Sequence, residues 1–121
     1  MNIIRRFAVL FAALAFTLAA CKPATLIVPI NIDSVEVEVS GREASAHVTG
    51  VVGDSCSTAL PPEVKRDGDT VTVTINAERE QDAVCAELAL LYDEMISLGN
   101  DFAPGDYMVE VNGVEAFFSV K

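Results

Sequence analysis

From residue 34 onward, apolar and polar side chains alternate with a period of two, the spacing of strands half-buried against a core. In Ser34-Val35-Glu36-Val37-Glu38-Val39-Ser40 the valines face inward and the serines and glutamates outward. Across 44–52, Ala46 and Val48 share one face, and Ser45, His47 and Thr49 take the other. Asp67-Gly68 then makes a turn into Thr70-Val71-Thr72-Val73-Thr74-Ile75, where Val71, Val73 and Ile75 lie together beneath a solvated threonine face.

The C-terminal hairpin carries the clearest signal. Pro104-Gly105 introduces Tyr107-Met108-Val109-Glu110-Val111, Asn112-Gly113 supplies a two-residue primed turn, and Val114 to Val120 returns. That turn fixes the register. Val111 is expected opposite Val114, Val109 opposite Ala116 and Tyr107 opposite Phe118 on the inward face. On the other face Glu110 opposes Glu115 and Met108 opposes Phe117, two like charges beside an apolar pair. Either a neighbouring segment covers Met108 and Phe117 while the glutamates splay into water, or the four form a docking patch for a partner with an apolar knob and a basic residue.

Residues 82–96 fit two periods. Cys85, Leu88, Leu91, Tyr92, Met95 and Ile96 approximate a helical stripe in a run rich in helix formers. Leu88, Leu90 and Tyr92 also share a face if the chain is extended. Propensity favours a helix, and a β-rich context favours a strand.

A different pattern opens the chain. Arg5 and Arg6 precede Phe7-Ala8-Val9-Leu10-Phe11-Ala12-Ala13-Leu14-Ala15-Phe16, an unbroken apolar run followed by small residues. Spanning hydrocarbon takes about 20 apolar residues, and this run is shorter and ends in Lys22-Pro23, so it reads as a secretory leader. Its end, Leu18-Ala19-Ala20-Cys21, resembles a bacterial lipobox. The resemblance implies cleavage between Ala20 and Cys21, acylation of Cys21, and a mature chain held on the lipid bilayer by its acyl chains. Lys22, where an Asp would favour the inner membrane, implies the outer membrane in a Gram-negative host. Arg5-Arg6-Phe7 matches a twin-arginine leader poorly, because no Ser or Thr precedes the pair.

Loss of the leader sharpens the charge. Eight basic and 18 acidic residues become six and 18 once Arg5 and Arg6 are removed, a net of −12 with His47 neutral. A surface of that sign is soluble and is repelled by nucleic acid and anionic headgroups, so a nucleic-acid partner and a polybasic membrane patch are both disfavoured. The roughly one hundred residues left suffice for one domain with a modest core. Lys22 to Ile32, stiffened by Pro23 and Pro29, reads as a short tether or a Pro-interrupted edge strand.

Besides Cys21 the chain has Cys56 and Cys85, and export places both where a disulfide persists. Closing a loop of roughly thirty residues is worth about 3 to 4 kcal/mol. A redox-active or metal-binding thiol pair is the alternative, without C-x-x-C spacing or a neighbouring histidine to support it.

Cys56, then Arg66-Asp67-Gly68-Asp69-Thr70-Val71-Thr72-Val73, then Cys85, then Pro104 to Gly113 together resemble small secreted bacterial immunoglobulin-like or fibronectin-type domains of unassigned function. This resemblance spans Val48 to Val120 and implies a sandwich rather than an activity. The expected fold is therefore all-β: an immunoglobulin-like β-sandwich over 33–121 with one disulfide and a short helix near 82–92 as the open point. It follows a signal peptide at 1–20 and a tether or edge strand at 21–32. The chain has no tryptophan, so the Trp-on-disulfide packing of antibody domains is absent.

Catalytic chemistry is sparse. His47 is the one histidine, placed on an outer strand face, and a base needs an oriented partner. Ser55, Ser57 and Thr58 flank Cys56 without a nucleophile elbow, and Asp67-Gly68-Asp69 fits a hairpin turn better than a calcium loop. No enzyme activity, cofactor or metal is expected. Two functions remain: a lipid-anchored, noncatalytic interaction or structural domain of the cell envelope with an envelope protein as partner, or a protease inhibitor presenting the stapled loop Cys56-Ser57-Thr58-Ala59-Leu60-Pro61-Pro62.

Overall fold

A computed structural model describes residues 24–121; the leader, the lipobox and Cys21 lie outside the described residues. Ten strands follow one another: β1 (Thr25–Pro29), β2 (Asn31–Ser40), β3 (Glu43–Gly53), β4 (Thr58–Ala59), β5 (Glu63–Asp67), β6 (Thr70–Thr74), β7 (Asn76–Glu80), β8 (Leu90–Gly99), β9 (Gly105–Val111) and β10 (Val114–Val120). They form a β-sandwich with no helix among the described residues. One sheet has the order β2-β3-β8, the second β10-β9-β6-β5, and a small third one β1-β7-β4.

The core fills the space between the two larger sheets. Ala44, Ala46 and Val48 of β3, Val71 and Val73 of β6, and Val109 and Val111 of β9 are fully buried, as alternation requires. Val35 and Val37 pack against this core from the edge strand β2, while Val39 at its far end stays 39% exposed. The hairpin β9–β10 has the register its Asn-Gly turn dictates, with Val111 opposite Val114 and Glu110 opposite Glu115. Asn112 supports that turn at φ 46, a left-handed conformation that Asn tolerates better than most residues. The parallel pairing of β6 with β9 leaves no mark on local alternation.

The third sheet grows from strands of the other two. β1 runs on into β2 through Ile30, and β6 into β7 through Ile75. Both isoleucines are buried, and the Ile30 N–H donates to the Ile75 carbonyl at 3.1 Å. With Ile30 and Ile32 in the core, the chain from Thr25 to Ile32 is part of the folded unit, and β1 is an edge strand.

The helix considered near 82–92 does not form. Its first half is irregular, and Leu90 onward is β8, paired antiparallel with β3. Cys85 is held to Cys56, and Ala86 bonds back to Ser55 through both its N–H and its carbonyl. These ties extend the chain, and in β8 Tyr92, Ile96 and Leu98 then reach the core at the period of a strand. Leu91 and Met95, members of the helical stripe, face outward.

Phe102, in the loop between β8 and β9, closes one end of the core. It is fully buried and meets Tyr107 and Phe118 edge to face, at 5.0 and 5.5 Å between centroids. Arg66 lies over its ring at 4.0 Å and pairs with Asp101. Arg42 holds the Phe102 backbone on both sides, accepting its N–H and donating from Nε to its carbonyl.

Candidate interaction surfaces

The outer face of the β9–β10 hairpin brings together Met108, Glu110, Glu115 and Phe117. Phe117 is 75% exposed, so none of the described segments covers it, and Met108 opposite it is half-buried. The parallel neighbour β6 adds Thr70 beside Met108 and Thr72 beside Glu110, and β5 adds Lys65 beside Thr72. The patch therefore runs across four strands, with an apolar pair next to an acidic pair and a threonine margin. Neither Lys65 nor the threonines were legible as part of it, because the β6–β9 pairing is non-local.

The segment 56–62 is tied down along much of its length. Cys56 is bonded to Cys85, Thr58 and Ala59 form β4 against β7, and the Leu60 N–H donates to the Asn76 carbonyl. Its end, Pro61-Pro62, forms one wall of a groove of about 540 Å³, with Val64 of β5 and Tyr92, Glu94 and Met95 of β8 on the others. β5 and β8 each have a sheet neighbour on one side only among the described strands, so the groove lies between two open edges. Burial raises the Tyr92 phenol above its ordinary range, and Glu94 adds to the effect.

Around the disulfide, polar groups satisfy one another. Arg79 Nε donates to both Asp54 oxygens, at 3.2 and 3.0 Å, and its Nη2 lies 2.9 Å from Oδ2. Asp54 also accepts from the Cys56 N–H and the Ser57 hydroxyl. The Arg79 bond, with help from these two, holds the Asp54 carboxyl below its ordinary value. Asp54 Oδ and the two sulfurs sit within 4.8 Å of one another, yet sulfurs joined in a disulfide offer no thiolate to a metal. The staple is structural in form, with Asp54 and Arg79 ordering the turn it closes.

His47 has the partner that sequence alone did not supply. Its Nε2 lies 2.6 Å from Asp93 Oδ1 on the outer face of β3 and β8, and both side chains are solvent-accessible. The Asp93 hydrogen bond raises the imidazole above its ordinary value, and the charges of Asp93, Glu36 and Glu38 act in the same direction. Ser34 and Thr49 share a hydroxyl bond of 2.6 Å on the adjoining row. The pair lines neither the 540 Å³ groove nor the cavity beside the disulfide. Asp93 is 46 residues away in sequence, a distance at which no motif signals the contact.

Comparison with known proteins agrees with the fold. Residues 46–120 match the sequence profile of the ORF11 beta-sandwich domain. An uncharacterized 10.2 kDa protein in the HgiCIIM 5' region of Herpetosiphon aurantiacus is 26% identical over 86 residues, covering 69% of this chain and 92% of that protein. No solved structure matches. The profile spans more than half of the chain, from Ala46 in β3 through the whole C-terminal hairpin, and the chain accordingly belongs to the ORF11 beta-sandwich domain family.

Proposed function

We propose that this chain is a lipid-anchored protein of the bacterial cell envelope whose sandwich is a noncatalytic interaction or structural domain. The anchor rests on Leu18-Ala19-Ala20-Cys21 after an apolar leader, and the Cys56–Cys85 disulfide is consistent with an exported chain. The observation that carries the interaction role is the exposed Phe117, set opposite Met108 and beside the facing pair Glu110 and Glu115. An aromatic ring open to water next to clustered carboxylates suits a partner that offers an apolar side chain and a Lys or Arg.

Two measurements test this. Mass spectrometry of the N-terminal peptide from a membrane fraction should find acylated Cys21, and Cys21→Ser should move the folded domain to the soluble fraction. A photo-crosslinker at Phe117 in intact cells should capture one reproducible envelope protein, and Glu110→Lys should abolish that capture. Membrane retention of the Cys21→Ser protein overturns the anchor; capture unaltered by Glu110→Lys overturns the docking face. The inhibitor alternative has a separate readout, slowed proteolysis by envelope proteases in the presence of the soluble domain.

A further inference from the structure

β1 is a five-residue edge strand guarded by Pro29 at its end but without the charge that edge strands usually carry. It pairs with β7 on one side and has no neighbour on the other among the described strands. Natural edges are blunted by charge, yet Thr25-Leu26-Ile27-Val28-Pro29 has none. Leu26, Ile27 and Val28 are 40, 55 and 49% exposed, although alternation sends Ile27 to one face and its two neighbours to the other. Both faces of the strand thus present apolar surface to solvent. The loop after β7 joins it at this end, where the Gln81 N–H donates to the Ala24 carbonyl at 2.9 Å and Val84 stands wholly exposed.

We propose that β1 lies against the bilayer, with Leu26, Ile27 and Val28 seated among lipid headgroups and the upper acyl segments. The inference rests on acylation of Cys21, as proposed above. Thr25 is four residues beyond Cys21, so an extended chain places it at most about 14 Å from the anchored residue. The headgroup layer on each side of the hydrocarbon is itself roughly 5 to 8 Å thick. An acyl chain at Cys21 therefore keeps the start of β1 within the headgroup layer or at most about 9 Å beyond it. The apolar strand is held at the one surface able to cover it without a second protein.

Charge selects the lipid. Glu80 lies opposite Thr25 and Glu78 opposite Ile27, so carboxylates share the face of β1 that carries Ile27. Phosphatidylglycerol-like anionic headgroups would meet repulsion there, whereas zwitterionic phosphatidylethanolamine or phosphatidylcholine would not. The docked surface is a zwitterionic one.

The chain has no tryptophan, so single substitutions report depth without background. Acylated protein bearing Ile27→Trp is reconstituted into phosphatidylcholine vesicles whose acyl chains carry bromine, and its emission is compared with that in vesicles of unbrominated lipid. The indole of Ile27→Trp should lose at least half of its emission to brominated lipid, that of Val84→Trp a measurable part, and that of Phe117→Trp essentially none. All three substituted positions are exposed, and far-UV circular dichroism confirms that each variant keeps its strands. Unquenched emission from Ile27→Trp protein that still floats with the vesicles overturns the inference and leaves the anchor intact. Acylation missing from Cys21 overturns both. Crosslinking between copies through β1, with emission unchanged by bromine, assigns the strand to self-association instead.

Discussion

The side-chain amide of Asn112 pairs with the backbone of Ile75 in both directions: the Ile75 N–H donates to Asn112 Oδ1 at 2.9 Å, and Asn112 Nδ2 donates to the Ile75 carbonyl at 2.8 Å. The same Nδ2 reaches the Ile30 carbonyl at 3.0 Å, and the Asn112 N–H donates to the Val73 carbonyl. One turn residue thus satisfies the backbone where β1 bends into β2 and β6 into β7. Peptide groups at such bends leave the sheet ladder and need a partner if they are to be buried.

Asn112→Ala should lower stability by about 2 to 4 kcal/mol, the combined effect of unsatisfied buried backbone groups and a Cβ residue with less tolerance for positive φ. Asn112→Gly relieves the backbone strain but restores none of the bonds, so it should fall between Ala and the parent. Urea denaturation gives both values. Equal stability of the Gly variant and the parent would mean that the side-chain amide contributes no more than the strain that Gly relieves.

Reduction of Cys56–Cys85, which are 29 residues apart, should cost about 3.5 kcal/mol through the freed unfolded chain. A Cys56→Ala/Cys85→Ala variant should match the reduced protein in thermal unfolding. The core strands should remain protected in hydrogen exchange, because the staple closes the periphery around β4 and β7 rather than the space between the large sheets.

Gly50 of β3 is irreplaceable on steric grounds, since a Cβ there would overlap the Asn31 carbonyl oxygen of β2. The obstacle is backbone in a paired strand, which has no rotamer to change. Gly50→Ala should cost about 2 kcal/mol or more, read as a lower thermal midpoint. Gly68→Ala, where a Cβ meets open space, should cost only the strain of its positive φ.

The His47–Asp93 pair makes a signed prediction for pH. The folded imidazole titrates above its ordinary value near 6.5, chiefly because Asp93 accepts its hydrogen bond. Its stabilising contribution is therefore complete below the unfolded value and is lost as pH rises through the folded one. NMR titration should place the His47 transition above that of the Asp93→Asn variant. The stability difference between parent and variant should shrink as pH rises from below the ordinary value near 6.5 through the raised folded value, and a gap that widens would reverse the assignment.

The parts of the fold legible in sequence are those where a local rule and the core agree. Asn112-Gly113 set the hairpin register, and Val71, Val73 and Ile75 announced a buried strand by alternation alone. β7, Asn-Ala-Glu-Arg-Glu from residue 76 to 80, carried no such signal, because only Ala77 of its five residues is buried. β5 was hidden for the same reason, exposed along its whole length. In 82–96 the helical stripe was an accident of composition, overruled by the staple at Cys85 and the pairing of β8 with β3. The site was legible as a facing pair, Glu110 with Glu115 and Met108 with Phe117, but its extent was not, because Thr70, Thr72 and Lys65 arrive through non-local pairing. The partner of His47 leaves no trace in the sequence, because no local link joins it to Asp93.

The two bends at Ile30 and Ile75 also determine how the molecule answers to force. Tension applied to the segment before Thr25 enters along β1 and passes to β2 through Ile30, whose N–H is bonded to Ile75 and whose carbonyl is bonded to Asn112. A pull at the N-terminal side is thereby shared at once among β2, β6 and the β9–β10 turn, strands belonging to both large sheets. The sandwich should resist as one mechanical unit, and peeling of β1 from β7, which starts at the Thr25–Glu80 end, should stop at the joint beyond Pro29 where the two sheets are tied.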